Sequence, residues 1–233
     1  MKKLKLAFTM VEIVVALVVI GVIAAMALPM LIKETQKHQS GATLGRIVAQ
    51  IENGNQDLIQ RANMHNEGAA MTEVLELITK EDLGFSEEDD DDVFILDSFA
   101  DIIPGYWGLE PEKLTDTDVM SIRTLSNAPI DSDLTKQIIT NGVKYNFAKF
   151  PASVSIYSAR TNATVPNADL GADTSISIYV DTTGWHRPPN IIGKDIFLFH
   201  LQNNGKLIPH KDSLSGFEKT ASVVKNGFTI TYY

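Results

Sequence analysis

MKKLKLAFTMVEIVVALVVIGVIAAMALPMLI, residues 1–32, decides how this chain is read. Three lysines (Lys2, Lys3 and Lys5) open the stretch, and no side chain from Ile13 to Ile32 is charged. An apolar run of that length, wound as a helix at about 1.5 Å per residue, covers roughly the 30 Å core of a bilayer. The flanking lysines should hold the short N-terminal end in the cytoplasm and send the rest across. Glu12 is the exception in this stretch. A carboxylate costs about 2.5–3.5 kcal/mol at the centre of a bilayer, so an acid at the edge of such a run calls for a partner. Lys5 is the nearest cation in sequence.

Beyond Lys33-Glu34 the pattern becomes amphipathic. Leu44, Ile47, Val48, Ile51, Leu58, Ile59 and Ala62 recur at helical steps, with Arg46, Gln50, Glu52, Asp57, Gln60 and Arg61 between them. The spacing predicts one helix from about Phe8 to about Asn63, apolar all round at first and then on one face only. Pro29 removes a backbone donor and should bend it, and Gly41, Gly45 and Gly54 are places where it loosens.

A second helix is predicted over Met71 to Lys80 and a third over Val93 to Ile103, closed by Pro104-Gly105. Between them six consecutive acids, Glu87 to Asp92, read as a solvated loop, since they lack the spacing and glycine of a calcium loop. Residues 105–140 are ambiguous, with short helices near Thr117–Leu125 and Ser132–Thr140.

The period then changes. Val143–Lys149, Ser153–Ser158, Ser175–Val180, Asp195–Leu201, Lys206–Ile208 and Gly227–Tyr232 are short, rich in Val, Ile, Phe and Tyr, and bounded by turn residues. Gln202-Asn203-Asn204-Gly205 is a hairpin connection with glycine where a positive φ is needed. The expected fold class is α+β, a long helix laid across an antiparallel sheet.

The formal net charge of −9 argues against nucleic-acid binding through bulk electrostatics. The absence of cysteine excludes both disulfides and a lipoprotein anchor. His38, His65, His186, His200 and His210 show no ligand spacing such as HExxH, and neither a Gly-x-Ser-x-Gly elbow nor a phosphate loop occurs. The chain is expected not to be an enzyme.

Ala7-Phe8-Thr9-Met10-Val11-Glu12, followed by the apolar run with Pro29, resembles the N-terminal processing motif of type IV pilins and type II secretion pseudopilins. That pattern is a small residue, then Phe-Thr-Leu-Ile-Glu, then about twenty apolar residues. Ala7 stands where glycine is usual, and Met10-Val11 replace Leu-Ile. The resemblance implies a pilin-like fold and cleavage after Ala7 by a prepilin peptidase, with methylation of the new Phe8 amine. It makes Glu12 the assembly carboxylate, paired with the Phe8 amine of a neighbouring subunit, and Pro29 the kinking proline. It divides the chain into a leader (1–7), a transmembrane and filament-core helix (8–32), an amphipathic continuation (33–66) and a periplasmic or extracellular globular domain (67–233). Loss of the leader removes three lysines and takes the charge from −9 to −12.

The implied function is a structural subunit, minor or accessory by its length. It would be stored in the inner (cytoplasmic) membrane and assembled into a type IV pilus or type II secretion pseudopilus. The implied partners are other pilin subunits, the peptidase, an assembly ATPase and a platform protein. The alternative is a membrane-anchored periplasmic binding module or enzyme that does not polymerise.

Residues 181–195, DTTGWHRPPNIIGKD, form the one chemical constellation in the globular part. The segment is similar to a loop that joins two strands in many prepilin-type proteins, and related pseudopilins hold calcium in such a loop. Asp181, Asn190 and Asp195, with loop carbonyls, would supply the oxygen ligands calcium prefers. The competing reading is a turn fixed by Asx hydrogen bonds and by Pro188-Pro189. Arg187 and the Thr183 that replaces a common asparagine favour that second reading.

Overall fold

A 54-residue helix, α1 (Met10–Asn63), runs unbroken past Pro29. The computed structural model describes residues 9–63, 105–113, 122–130, 143–147, 151–159, 175–184, 190–202, 204–211 and 216–232. Phe8, the expected helices at 71–80, 93–103 and 132–140, the acidic run at 87–92 and residues 185–189 lie outside them. The two halves of α1 differ as the sequence pattern required. Large side chains from Met10 to Ile32 are half exposed or more, whereas Leu44, Ile47, Val48, Ile51, Leu58 and Ala62 are buried.

The buried half packs on a six-stranded antiparallel sheet. In chain order the strands are β1 (Leu109–Lys113), β2 (Ile122–Arg123), β3 (Val143–Phe147), β4 (Ser153–Ala159), β5 (Ser175–Asp181), β6 (Asn190–Ile191), β7 (Ile196–Leu201) and β8 (Leu207–Pro209). A final short helix, α2, covers Lys219–Lys225. The large sheet has the order β1-β3-β4-β5-β7-β8, and β2 pairs with β6 in a separate parallel ribbon. Alternation puts Val154, Ile156, Ile178, Val180, Phe197 and Phe199 in one cluster with the apolar stripe of α1. Tyr179, Ile196 and Leu198 join a second cluster with Ile122, Ile192 and Phe217 on the other face. The interior strand β7 is therefore buried along its whole length.

Both edge strands contain a proline, Pro111 in β1 and Pro209 in β8, where a missing N–H breaks no ladder. Glu52 of α1 accepts the Leu207 N–H of β8 at 2.9 Å. Gly205, at φ +78°, closes the β7–β8 connection, with its N–H on the Gln202 carbonyl at 2.9 Å.

Asn55 is the one fully buried polar side chain of α1. Its Nδ2 donates to the Gly205 carbonyl and its Oδ1 accepts the Trp107 indole N–H, both at 2.9 Å. One amide thus fastens the helix to the β7–β8 turn and to the fully buried Trp107. Asn55→Ala leaves a buried carbonyl and a buried indole N–H without these partners. A loss of about 2–4 kcal/mol is expected in denaturant unfolding. A loss under 0.5 kcal/mol would sink the account.

Three expectations are corrected. Gly41, Gly45 and Gly54 do not loosen the helix; they are where other chain segments approach it. A Cβ on Gly41 would lie 2.1 Å from the Phe228 carbonyl oxygen, and one on Gly54 would lie 2.7 Å from the Trp107 ring. Residues 227–232 form no strand. After α2 the chain turns through Gly227 (φ +63°) and Phe228 (φ +60°) and lies against α1 instead of extending the sheet. Ile122–Arg123 is strand β2, within the stretch expected to be helical near Thr117–Leu125.

Candidate functional site

Two places carry the residues singled out from the sequence. At the start of α1, Thr9 and Glu12 hold each other. The Thr9 backbone N–H and hydroxyl both donate to Glu12 Oε2 at 2.8 Å, and the Glu12 N–H donates to Thr9 Oγ1 at 3.3 Å. This is a reciprocal capping box, which satisfies backbone donors that the first helical turn leaves orphaned. Thr9-Met10-Val11-Glu12 has the Thr-x-x-Glu spacing that such a box requires. Ala7 and Lys5 lie outside the described residues. Pro29 sits inside the continuous helix and has no N–H to give to the turn before it. Six residues on, the Thr35 hydroxyl donates to the Leu31 carbonyl at 2.8 Å. The polar belt that follows contains Glu34 between Lys37 (3.4 Å) and His38 (3.6 Å).

The second place is the junction of β5, β6 and β7. The Thr182 N–H donates to the Asp195 carbonyl at 2.9 Å, which ties the end of β5 to the residue preceding β7. Asp181, Asn190 and Asp195 are all buried there. Asp181 Oδ1 accepts the Thr183 N–H (2.9 Å), the Thr183 hydroxyl (3.1 Å) and the Gly184 N–H (3.0 Å). That is the Asx turn of the competing reading. Asp181 Oδ2, by contrast, is buried with no hydrogen-bond partner among the described residues, as is Oγ of Ser153, its partner on β4.

Burial pushes the Asp181 carboxyl up to about 7, against the hydrogen bonds from Thr183 and Gly184, and the charge of Asp195 adds to the rise. Burial also raises Asp195, to about 6, although Lys194 beside it and the Ile191 backbone pull the other way. The oxygens present fit a hard cation: two carboxylates, an amide and a hydroxyl, with one carboxylate oxygen left over. Among the described residues no group of three or more His, Cys, Asp or Glu is placed to hold a metal. Asp181 and Asp195 lie close enough for their charges to interact, Asn190 is buried in β6, and the Asx turn and the spare Asp181 oxygen coexist.

One cluster escaped the sequence reading. His200 and His210 are buried side by side across the β7–β8 hairpin, with Nε2 of His200 3.0 Å from Nδ1 of His210. Ser177 Oγ lies 3.3 Å from His200 Nδ1. A separation of ten positions carries no ligand signature, and only the hairpin register brings the two rings together.

Compared with models of known families, with curated proteins and with solved structures, the chain matches none of them.

Proposed function

We propose that this chain is a prepilin-like structural subunit, anchored by the first half of α1 and assembled through it into a pilus or pseudopilus. A prepilin peptidase would cut after Ala7, and the head built on residues 40–232 would stay outside the membrane. The observation that supports this most is the division of one continuous helix. Its second half is buried in its own sheet, while the half from Met10 to Ile32 exposes every large apolar side chain. That half is long and apolar enough to cross a membrane. A rod that is apolar all round must be covered by lipid or by copies of itself. Glu12 remains the only charge on it. In this reading the capping box holds one carboxylate oxygen, and the amine of a neighbouring subunit's Phe8 approaches the other.

The charge role and the capping role of Glu12 can be separated. Glu12→Gln keeps a residue that can complete the box but removes the charge, while Thr9→Val removes the two bonds of the Thr9 hydroxyl and keeps the charge. The expected result is that Glu12→Gln inserts normally but enters filaments at least about tenfold less well, a difference of about 1.4 kcal/mol. Thr9→Val should lose less. Normal incorporation of Glu12→Gln would remove the pairing role. Mass measurement of the native N-terminus tests the processing step: a methylated Phe8 supports the subunit reading, and an intact Met1 favours a plain anchor.

A second reading concerns the head. The spare Asp181 oxygen and the raised carboxyls favour calcium as a stabilising ligand held by Asp181, Asn190 and Asp195, with no catalytic task.

A further inference from the structure

The strand order makes β8 an edge strand, yet this edge carries much of the grip on α1. Asn55 bonds the Gly205 carbonyl, Gln56 donates to the Asn204 carbonyl at 2.7 Å, and Glu52 accepts the Leu207 N–H. Hydrogen bonds to β7 hold the hairpin on its other side, and the His210 N–H continues them by donating to the Leu198 carbonyl at 2.9 Å. Directly beneath, Ser177, His200 and His210 form a chain of side chains that crosses from β5 through β7 to the end of β8.

The chain runs in either of two directions. In one, the Ser177 hydroxyl donates to His200 Nδ1, and His200 Nε2–H donates to His210 Nδ1. In the other, His210 Nδ1–H donates to His200 Nε2, and His200 Nδ1–H donates to Ser177 Oγ. Each imidazole carries one proton in both. If both rings were protonated, two N–H groups would face each other across 3.0 Å between two like charges in a buried site.

Among the described residues, the groups that face the pair from the neighbouring strands and from α2 are uncharged. From β5 come Ser177 and Tyr179, from β8 Ile208, and from α2 Thr220, whose Oγ1 accepts the Leu198 N–H at 3.2 Å. The charged residues nearby in sequence are exposed Lys211 and then Asp212 after His210, Asp212 lying outside the described residues, together with Glu218 ahead of α2 and Lys219, whose ammonium sits over the Tyr232 ring 5.5 Å from its centroid. The buried Asp181 lies two positions further along the same face of β5 than Tyr179.

We propose that Ser177, His200 and His210 form a proton-counting latch, in which the β7–β8 hairpin stays clamped to α1 only while the two rings together carry no second added proton. A proton entering an unfolded or opened hairpin is taken up by a free imidazole at about pH 6.5, whereas the closed latch excludes at least one of the two. Acidification therefore draws the hairpin open. By linkage, each excluded proton raises the opening equilibrium about tenfold per pH unit below that point. This sign is opposite to that of the raised carboxyls of Asp181 and Asp195, which favour the folded chain as pH falls, so the two effects can be told apart.

The test is hydrogen exchange on the full chain in detergent micelles at pH 8 and pH 5, corrected for the intrinsic pH dependence of exchange. The Leu207 and His210 amides should lose about tenfold or more of their protection at pH 5, and His210→Gln, which hydrogen-bonds without titrating, should abolish most of that loss. Equal protection at both pH values in the unmutated chain overturns the latch, and so does an undiminished loss in His210→Gln. Ring nitrogen resonances of histidine-labelled chain read the same event without a substitution. Both rings becoming doubly protonated while the Leu207 amide stays protected would also overturn it.

Discussion

Gly41→Val should tear the C-terminal strap from the helix and cost the head about 3 kcal/mol or more in denaturant unfolding. The glycine Cα faces the Phe228 carbonyl so closely that an added Cβ would stand 2.1 Å from that oxygen and 3.2 Å from its carbon. The obstacle is backbone, not a flexible side-chain tip, so relief requires residues 227–230 to move. Overpacking a well-packed site typically costs about 1–3 kcal/mol through such shifts, and a backbone collision belongs at the upper end. Helix propensity pulls the other way, since glycine is about 1 kcal/mol worse than alanine inside a helix. A Gly41→Ala variant therefore understates the collision by about that amount. The internal control is Gly21, which has nothing within 4 Å of its would-be Cβ. Gly21→Val should leave the unfolding of the head unchanged. If Gly41→Val and Gly21→Val unfold alike, the strap does not grip the helix.

The second large effect is a dependence on pH. Asp181 and Asp195 carry carboxyls raised to about 7 and about 6, with burial the first cause in each. A raised carboxyl keeps its proton in the folded chain at pH values where the unfolded chain has released it. Its contribution to stability is complete below about pH 4 and is lost as pH rises towards 7. At about 1.4 kcal/mol per unit, Asp181 alone sets a ceiling on that loss of roughly 4 kcal/mol. Asp181→Asn, neutral at every pH, should flatten most of the slope between pH 4 and 7. It should be at least as stable as the unmutated chain at pH 7.5 in chelator. Calcium competes with these protons, so millimolar calcium should raise the melting temperature at pH 7.5, do little at pH 4.5, and do nothing for Asp181→Asn. An unchanged slope in the variant would acquit Asp181, and a flat calcium response would retire the cation.

Both effects come from features of unequal visibility in the sequence. The division of α1 was legible because Ile13 to Ile32 is apolar without interruption and the stripe from Leu44 to Ala62 has a helical step. Strands β4, β5 and β7 were legible for the same kind of reason, a dense run of β-branched and aromatic residues between turn signals. Strand β1 was not, since Leu-Glu-Pro-Glu-Lys has the composition of a loop. It is a strand only because β3 offers it a partner and an edge position tolerates Pro111. Gly41 looked like a weak point because propensity is a local quantity, whereas its use depends on Phe228, far away in sequence. Asp181, Asn190 and Asp195 stand out by residue type, whereas their burial and the leftover Asp181 oxygen depend on the fold and have no mark in the sequence. The histidine pair had no local mark at all, because register is a property of two strands and not of either one.

The prolines at the two rims of the sheet have a consequence for crowding. A row of unsatisfied amides on a flat rim invites neighbouring molecules to stitch themselves on, and proteins packed shoulder to shoulder meet that hazard constantly. Here one rim is interrupted by Pro111 between two glutamates, and the other is three residues long, ends on Pro209 and has its Leu207 amide taken by Glu52. Copies set side by side at high density would therefore find little free backbone to zip onto along either rim of the large sheet.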